Sequence, residues 1–255
     1  YYFCAKLFMR YFIELSYRGT NYHGWQKQPN ANTVQEELDK ALTKIYQSNI
    51  EVVGAGRTDA GVHAHQMYAH FDLDFDNEFK DIKFRLNSIL PNDILIINIF
   101  KVKDNIHCRF NAISRTYKYY IQSSKNVFNE DVYIFSKKLD IMAMNEASHY
   151  LLGTQDFTSF SKLHSQTYTN LCDITYAKWE YNGDILVFTI SANRFLRNMV
   201  RAIVGTLIDI GLAKIKPIEI KDIISYKNRS KASSSAPAHA LFLNKIEYHE
   251  QFKSI

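Results

Sequence analysis

The chain has 255 residues, 46% of them hydrophobic, which is enough to bury one large core or two small ones and excludes general disorder. Its 9 glycines and 4 prolines leave little room for flexible linkers, and a net charge of +5 suits an anionic partner without requiring one. Cys4, Cys108 and Cys172 are odd in number, widely spaced and without a Cys-x-x-Cys pair, so they indicate neither a disulfide framework nor a structural zinc site and fit a reducing cytoplasm.

No apolar run nears the ~18 to 20 residues needed to span a bilayer, so a soluble protein is expected. The opening lacks the apolar core of a signal peptide. Met9-Arg10-Tyr11-Phe12 reads as a natural beginning, which makes residues 1–8 leader or added sequence. Residues 10–17 alternate and carry Tyr, Phe and Ile, as a strand does. A turn-rich stretch follows, and then Thr33 and Glu36 form a capping box that opens a helix with Val34, Leu38, Leu42 and Ile45 on one face. Residues 50–53 and 66–73 read as two strands, the second alternating Met67, Ala69, Phe71 and Leu73 against Tyr68, His70 and Asp72. Phe79, Ile82, Leu86 and Ile89 repeat at helical spacing until Pro91, and residues 94–102 return to strand character.

The pattern then begins again. Residues 115–122 form a strand, 141–152 a helix, and 176–191 a hairpin turning at Asn182-Gly183. The longest helix is expected over 195–210, burying Leu196, Met199, Val200, Ile203, Val204 and Leu207. Arg194, Arg197 and Arg201, three and four apart, would share one side of it; such a row is most often a solvated face. The order of elements gives an α+β protein of two successive units, 9–108 and 109–255. The 17 tyrosines and 17 phenylalanines could stack on unpaired bases, although for any single one a place in the core comes first.

Between the strands at 50–53 and 66–73 lies Gly54-Ala55-Gly56-Arg57-Thr58-Asp59-Ala60-Gly61-Val62-His63-Ala64. Glycines open backbone conformations closed to other residues and let a ligand approach closely. Read from the residues alone, Asp59 either caps backbone amides in a tight turn or carries chemistry, and nothing in the spacing chooses. The dinucleotide fingerprint fails because strand rather than helix follows Gly56, and there is no Gly-Lys-Ser/Thr phosphate loop. Asp59-Ala60-Gly61 has no second triplet with which to form an aspartic-protease pair. His63 and His65 would share a strand face but have no evident carboxylate partner for a metal. Neither a metal nor a cofactor is expected.

The loop, through Gly-Arg-Thr-Asp-Ala-Gly-Val-His-Ala, resembles the catalytic motif of the bacterial tRNA pseudouridine synthase A family. The resemblance extends over nearly the whole chain from Met9. It takes in Tyr17-Arg18-Gly19-Thr20-Asn21-Tyr22-His23-Gly24-Trp25-Gln26-Lys27-Gln28, Arg109-Phe110-Asn111-Ala112, Arg115-Thr116-Tyr117-Lys118-Tyr119, Gly153-Thr154-Gln155-Asp156-Phe157-Thr158-Ser159-Phe160, Asn193-Arg194-Phe195-Leu196-Arg197-Asn198-Met199-Val200-Arg201 and Ala236-Pro237-Ala238-His239-Ala240-Leu241-Phe242-Leu243. It implies two ferredoxin- or RRM-like α+β halves whose antiparallel sheets form a central sheet with the active-site cleft between them. It also implies isomerisation of uridine to pseudouridine in the anticodon stem-loop of tRNA by a cytoplasmic homodimer, because each half-size unit offers limited surface to an L-shaped RNA.

The same resemblance makes Asp59 the essential carboxylate, Tyr117 the aromatic that packs on the target uracil, and Arg201 the basic partner of the aspartate. Arg57 would take the place of the displaced base. Leu241 belongs to a segment lining the pocket, and Arg194 and Arg197 would touch phosphates. One departure is Ala240, where the family pattern has glycine, which puts the local backbone in question. Two other readings stand beside this one. The first is a non-catalytic RNA-binding or chaperone protein with the same basic and aromatic surface; the second is a hydrolase with an aspartate nucleophile.

Overall fold

The computed structural model describes residues 8–74, 81–162 and 168–249. The expected leader, except Phe8, and Phe79 of the second helical repeat lie outside the described residues. The chain divides into two compact units, one ending at Ile113 and resumed at Lys245, the other Ser114–Asn244.

In the first unit β1 (Phe8–Tyr17), α1 (Val34–Tyr46), β2 (Val53–Gly54), β3 (His63–Asp74), α2 (Ile82–Ile89) and β4 (Ile94–Val102) follow the ferredoxin-like order. The strands pair antiparallel as β4-β1-β3-β2. α1 starts where Thr33, in extended conformation, accepts a hydrogen bond from the Glu36 amide. Glu36's side chain lies on Lys40, at 2.9 Å. Val34, Leu38, Leu42 and Ile45 are all buried, each contributing about 1.5 to 3 kcal/mol of apolar burial. α2 is held more lightly: Leu86 is buried whereas Phe84 is 73% exposed.

Two expectations need correction here. The strand expected at 50–53 is confined to Val53 and Gly54, although Ile50 and Val52 are buried. Side chains of α1 satisfy this backbone instead: Asp39 accepts from the Val52 amide at 2.8 Å, Gln35 donates to the Val52 carbonyl at 2.8 Å, and Thr43 accepts from the Ile50 amide at 3.2 Å. In β3 the face read as polar is also covered. Tyr68 and His70 are buried, with Phe12 packed on both rings and Tyr248 against Phe12 and Tyr68.

In the second unit β5 (Ala112–Gln122), β6 (Tyr133–Ile134), α3 (Ile141–His149), β7 (Gly153–Asp156), β8 (Leu171–Asn182), β9 (Ile185–Ala192), α4 (Met199–Gly211), α5 (Glu219–Ser225) and the start of β10 (Leu241–Tyr248) follow in turn. Strands β5, β9, β8 and β7 pair antiparallel in that order, and β6 adds a short parallel pair to β5. Asn182 pairs with Ile185, so the hairpin turns through Gly183 and Asp184, one residue later than expected, with Gly183 at φ 62°. Trp179 stacks on Phe188 at 4.8 Å, and Asn145 of α3 closes both backbone groups of Trp179. α3 and α4 approach closely because Gly211 has no side chain: a Cβ there would lie 2.6 Å from Met144 Sδ.

α4 begins at Met199 rather than at Phe195, and at 13 residues it equals α1 in length. Asn198 sits at φ 64°, a left-handed conformation that stops the helix from running further back. The expected row of arginines is therefore not a helix face. Arg194 and Arg197 belong to the connection before α4, and only Arg201 is helical. The apolar residues expected to be buried, Leu196, Met199, Val200, Ile203, Val204 and Leu207, all are.

Candidate active site

The loop of residues 54–64 is fixed by the turn-rich segment that follows β1. Trp25 donates its amide to the Thr58 carbonyl at 3.3 Å, Gly61 donates to Tyr22 at 3.2 Å, and the Tyr17 and Thr58 hydroxyls meet at 2.8 Å. Ala55 donates to the Tyr68 carbonyl at 2.8 Å, rooting the loop on β3. The loop is deeply placed at four positions, since Ala55, Thr58, Val62 and His63 are all buried.

The glycines have separate reasons. The Val62 amide closes a turn on the Asp59 carbonyl at 3.1 Å, and Gly61, at φ 76°, occupies the third position of that turn, where a left-handed conformation is needed. A Cβ on Gly54 would fall 2.3 Å from Trp25 Nε1, whereas one on Gly56 would meet nothing within 4 Å. Two glycines outside the motif press directly on its backbone. A Cβ on Gly19 would lie 2.0 Å from the Val62 carbonyl oxygen, and one on Gly24 2.4 Å from that of Thr58. Asp59 is half-buried and Arg57 exposed on this frame.

Sequence reading missed Asp93, which anchors the bracing segment. Its carboxylate accepts from the Tyr22 hydroxyl and from Asn21 Nδ2, and its carbonyl accepts from the Arg18 amide at 2.9 Å. Burial and this carboxylate raise the Tyr22 pKa well above its ordinary value. Asp93 follows Pro91-Asn92 just before a strand, which gives its sequence no distinguishing mark beyond a turn.

His63 and His65 do not form a metal pair. His63 is buried, and its Nδ1 accepts the Gly19 amide at 3.1 Å, while His65 is exposed. His70, His107 and Cys108 do bring three potential ligand atoms within 4.8 Å of one another. Those atoms are already engaged: His70 Nδ1 meets Cys108 Sγ at 3.0 Å, that thiol donates to the Val53 carbonyl at 3.0 Å, and His107 Nδ1 accepts the Arg109 amide at 3.1 Å. Burial, with the Arg10 guanidinium nearby, pushes the His70 pKa down to about 4, and burial lowers that of His107. Arg10 is itself held by both oxygens of Asp72 at 2.7 and 2.8 Å. His70 and Cys108 are a hydrogen-bonded pair with the His107 ring edge-on to His70 at 4.7 Å, and they stand at the root of the loop, since Val53 pairs with His70 across β2 and β3.

The other expected site residues belong to the second unit. Tyr117 lies mid-strand in β5, half-buried, with its ring edge-on to Phe195 at 5.2 Å. Phe195 stands in the same connection as Arg194, which is half-buried, and Arg197, which is exposed. Arg201, in the first turn of α4, donates Nε to the Ala236 carbonyl at 2.7 Å, and its own carbonyl accepts the Ala236 amide at 3.0 Å. From Ala236 the chain passes Pro237, whose carbonyl accepts the Tyr119 hydroxyl at 3.0 Å, and reaches the buried Leu241. Ala240 is fully buried at the end of a short 3-10 turn, Ala238–Ala240, and its backbone is not left-handed, so the alanine is accommodated without strain.

The family model described as tRNA pseudouridine synthase matches residues 15–111 and 147–249. The chain is 53% identical over 240 residues to tRNA pseudouridine synthase A of Azobacteroides pseudotrichonymphae genomovar. CFP2, covering 94% of this chain and 96% of that protein. It is 50% identical to the protein of that name from Parabacteroides distasonis, over 95% of this chain and 97% of the relative, and 51% identical to that from Porphyromonas gingivalis, over 94% and 97%. The matched spans take in the glycine loop and the whole stretch from α4 to β10, whereas β5, with Tyr117, lies between the two matched segments. With a family model over most of its length and relatives at half identity along almost all of it, the chain belongs to the tRNA pseudouridine synthase family.

Proposed function

We propose that this chain converts uridine to pseudouridine in the anticodon stem-loop of tRNA, with Asp59 as its catalytic carboxylate. The observation that carries the reading is the loop itself. It is a half-buried aspartate in a turn whose backbone is pinned from both sides and whose neighbour Gly56 leaves open space. Such a frame holds an acid in a fixed direction without help from the substrate.

The reaction breaks the bond from uracil N1 to the ribose, turns the base, and joins C5 to the same sugar carbon. The C5 proton is lost and N1 gains one, so nothing is oxidised, reduced or hydrolysed overall. Attack on the sugar carbon, addition to the ring and removal of a sugar proton all require Asp59 ionised. Arg201 serves as its basic partner, because a guanidinium stays charged and can offer a carboxylate two donors. Turning the nucleotide out of a stacked arm costs a few kcal/mol; stacking on Tyr117, worth about 1 to 3 kcal/mol, offsets part of it. Arg57 fills the space left by the base, Leu241 lines the pocket, and Arg194 and Arg197 meet phosphates.

The enzyme works in the cytoplasm as a homodimer on one tRNA; sedimentation at working concentration should give twice the chain mass, and monomer alone would refute that part. No described helix is long and apolar enough to cross a membrane. The activity is tested with tRNA carrying tritium at uridine C5. Tritium release in step with pseudouridine formation is expected, whereas tight binding with no release would favour the RNA-binding alternative.

A further inference from the structure

Arg201 is held by a segment whose own support lies elsewhere. Residues 232–236 run beside the first turns of α4 and touch it repeatedly. The Ser233 amide donates to Thr206 Oγ1 at 3.2 Å, Asn198 Nδ2 donates to Ser235 Oγ at 2.6 Å, and Ala236 exchanges two hydrogen bonds with Arg201. Gly205 permits the approach, since a Cβ there would lie 1.9 Å from the Ser234 carbonyl oxygen. The segment is otherwise poor in structure of its own, being bounded by two short 3-10 turns, Arg229–Lys231 and Ala238–Ala240.

Arg229 closes it from behind. Its Nη1 donates to the carbonyls of Ala232 and Ser233 at 3.1 and 3.0 Å, and its Nη2 donates to Ser235 Oγ at 3.0 Å. Among the described residues no carboxylate pairs with this half-buried guanidinium; all of its protein contacts are neutral oxygens of the one segment. A charge left without a counter-ion and spent on three acceptors of one loop fixes that loop's shape. Ser235 is the junction, because its hydroxyl receives both Arg229 and Asn198, the left-handed residue that sets where α4 begins.

We propose that Arg229 is a positioning residue for the isomerisation, setting the direction of the Arg201 guanidinium through Ser235 and Ala236. The inference rests on the reading of Arg201 as the basic partner of the catalytic aspartate. With Nε committed to the Ala236 carbonyl, the plane of the Arg201 guanidinium follows the position of that carbonyl. A loosened 232–236 segment lets it turn away while leaving the helix and the RNA-binding surface in place.

The test measures pseudouridine formation on tRNA with R229M, R229K and S235A, alongside R201M. Because small misplacements of a catalytic group cost one to two powers of ten, R229M should lower kcat about tenfold or more, with KM and tRNA affinity within about twofold. R229K should recover part of the loss, and S235A should fall between R229K and R229M. A kcat equal to the parent's in R229M would overturn the proposal, as would a raised KM at unchanged kcat, which would mark Arg229 as a phosphate contact. If R229M fails to fold, R229K and S235A decide by the same split of kcat from KM. An inactive R201M beside a fully active R229M sinks the positioning role alone, whereas an active R201M sinks the reading on which it rests.

Discussion

The loop that carries Asp59 and the connection that leads to Arg201 are both irregular backbone, yet they are held in different ways. Residues 54–64 are clasped by main-chain hydrogen bonds from the segment just after β1, and the closeness of that clasp depends on glycines at 19 and 24. Residues 194–201 are set by a left-handed asparagine and by side chains reaching from residues 229–236. A loop fixed by steric absence has little latitude, because any side chain at the contact collides with backbone. A segment fixed by polar side chains can be loosened one hydrogen bond at a time, so substitutions in the two regions should fail differently.

The largest effect on the arginine side is expected from Arg201→Met. It should keep the fold and lower kcat by about 10² to 10³, the usual cost of removing a charged group that acts in the transition state; assays on folded protein at saturating tRNA check this. On the glycine side Gly19→Ala should cost about 1 to 3 kcal/mol in urea unfolding, because its Cβ has no room beside the Val62 carbonyl. Activity should fall together with stability. Gly56→Ala sharpens the contrast: with nothing within 4 Å of its Cβ, it should leave stability within about 0.5 kcal/mol of the parent. A large loss of stability at Gly56, or none at Gly19, would show that steric absence does not hold the loop.

A smaller effect concerns pH. The folded His70 titrates at about 4, below its ordinary 6.5. Above pH 6.5 both states are neutral at this residue, and the stability it supports is fully present. As pH falls below that, the unfolded chain takes up a proton that the folded one refuses, so stability is lost toward pH 4 at up to about 1.4 kcal/mol per unit. His107 acts in the same sense. Urea titrations across this window should show the decline, and His70→Phe should flatten it. An unchanged slope would show that the core at the root of the loop is not what titrates.

Much of this frame can be read in the residues. Thr33 and Glu36 mark the start of α1, the apolar spacing marks its buried face, and β4 runs over the residues its alternation indicates. The strand misread at 50–53 shows where local pattern ends: its apolar residues are buried, but α1 side chains take its hydrogen bonds, and those partners lie 7 to 17 residues away. The arginine row failed at one residue. Asn198 is compatible with a helix by propensity, and only tertiary contacts, including Ser235, set it left-handed. Asp93 binds Tyr22 and Asn21 from more than 70 residues away, and Arg229 binds a neighbouring segment whose importance lies in its contact with α4, so no spacing announces either. Ala240, a departure from the family pattern, proved to need no glycine because its backbone stays out of the left-handed region.

If the Asp59 carboxylate performs the isomerisation on tRNA, a comparison of the parent with Asp59→Asn on one tRNA decides it. Nucleoside analysis of the digested RNA should find pseudouridine in the anticodon stem-loop after the parent reaction. After the variant it should find at least about 10³-fold less, with tRNA affinity within about twofold and an unchanged unfolding curve. Pseudouridine formed by the variant at a rate near the parent's would mean that Asp59 is not the catalytic carboxylate.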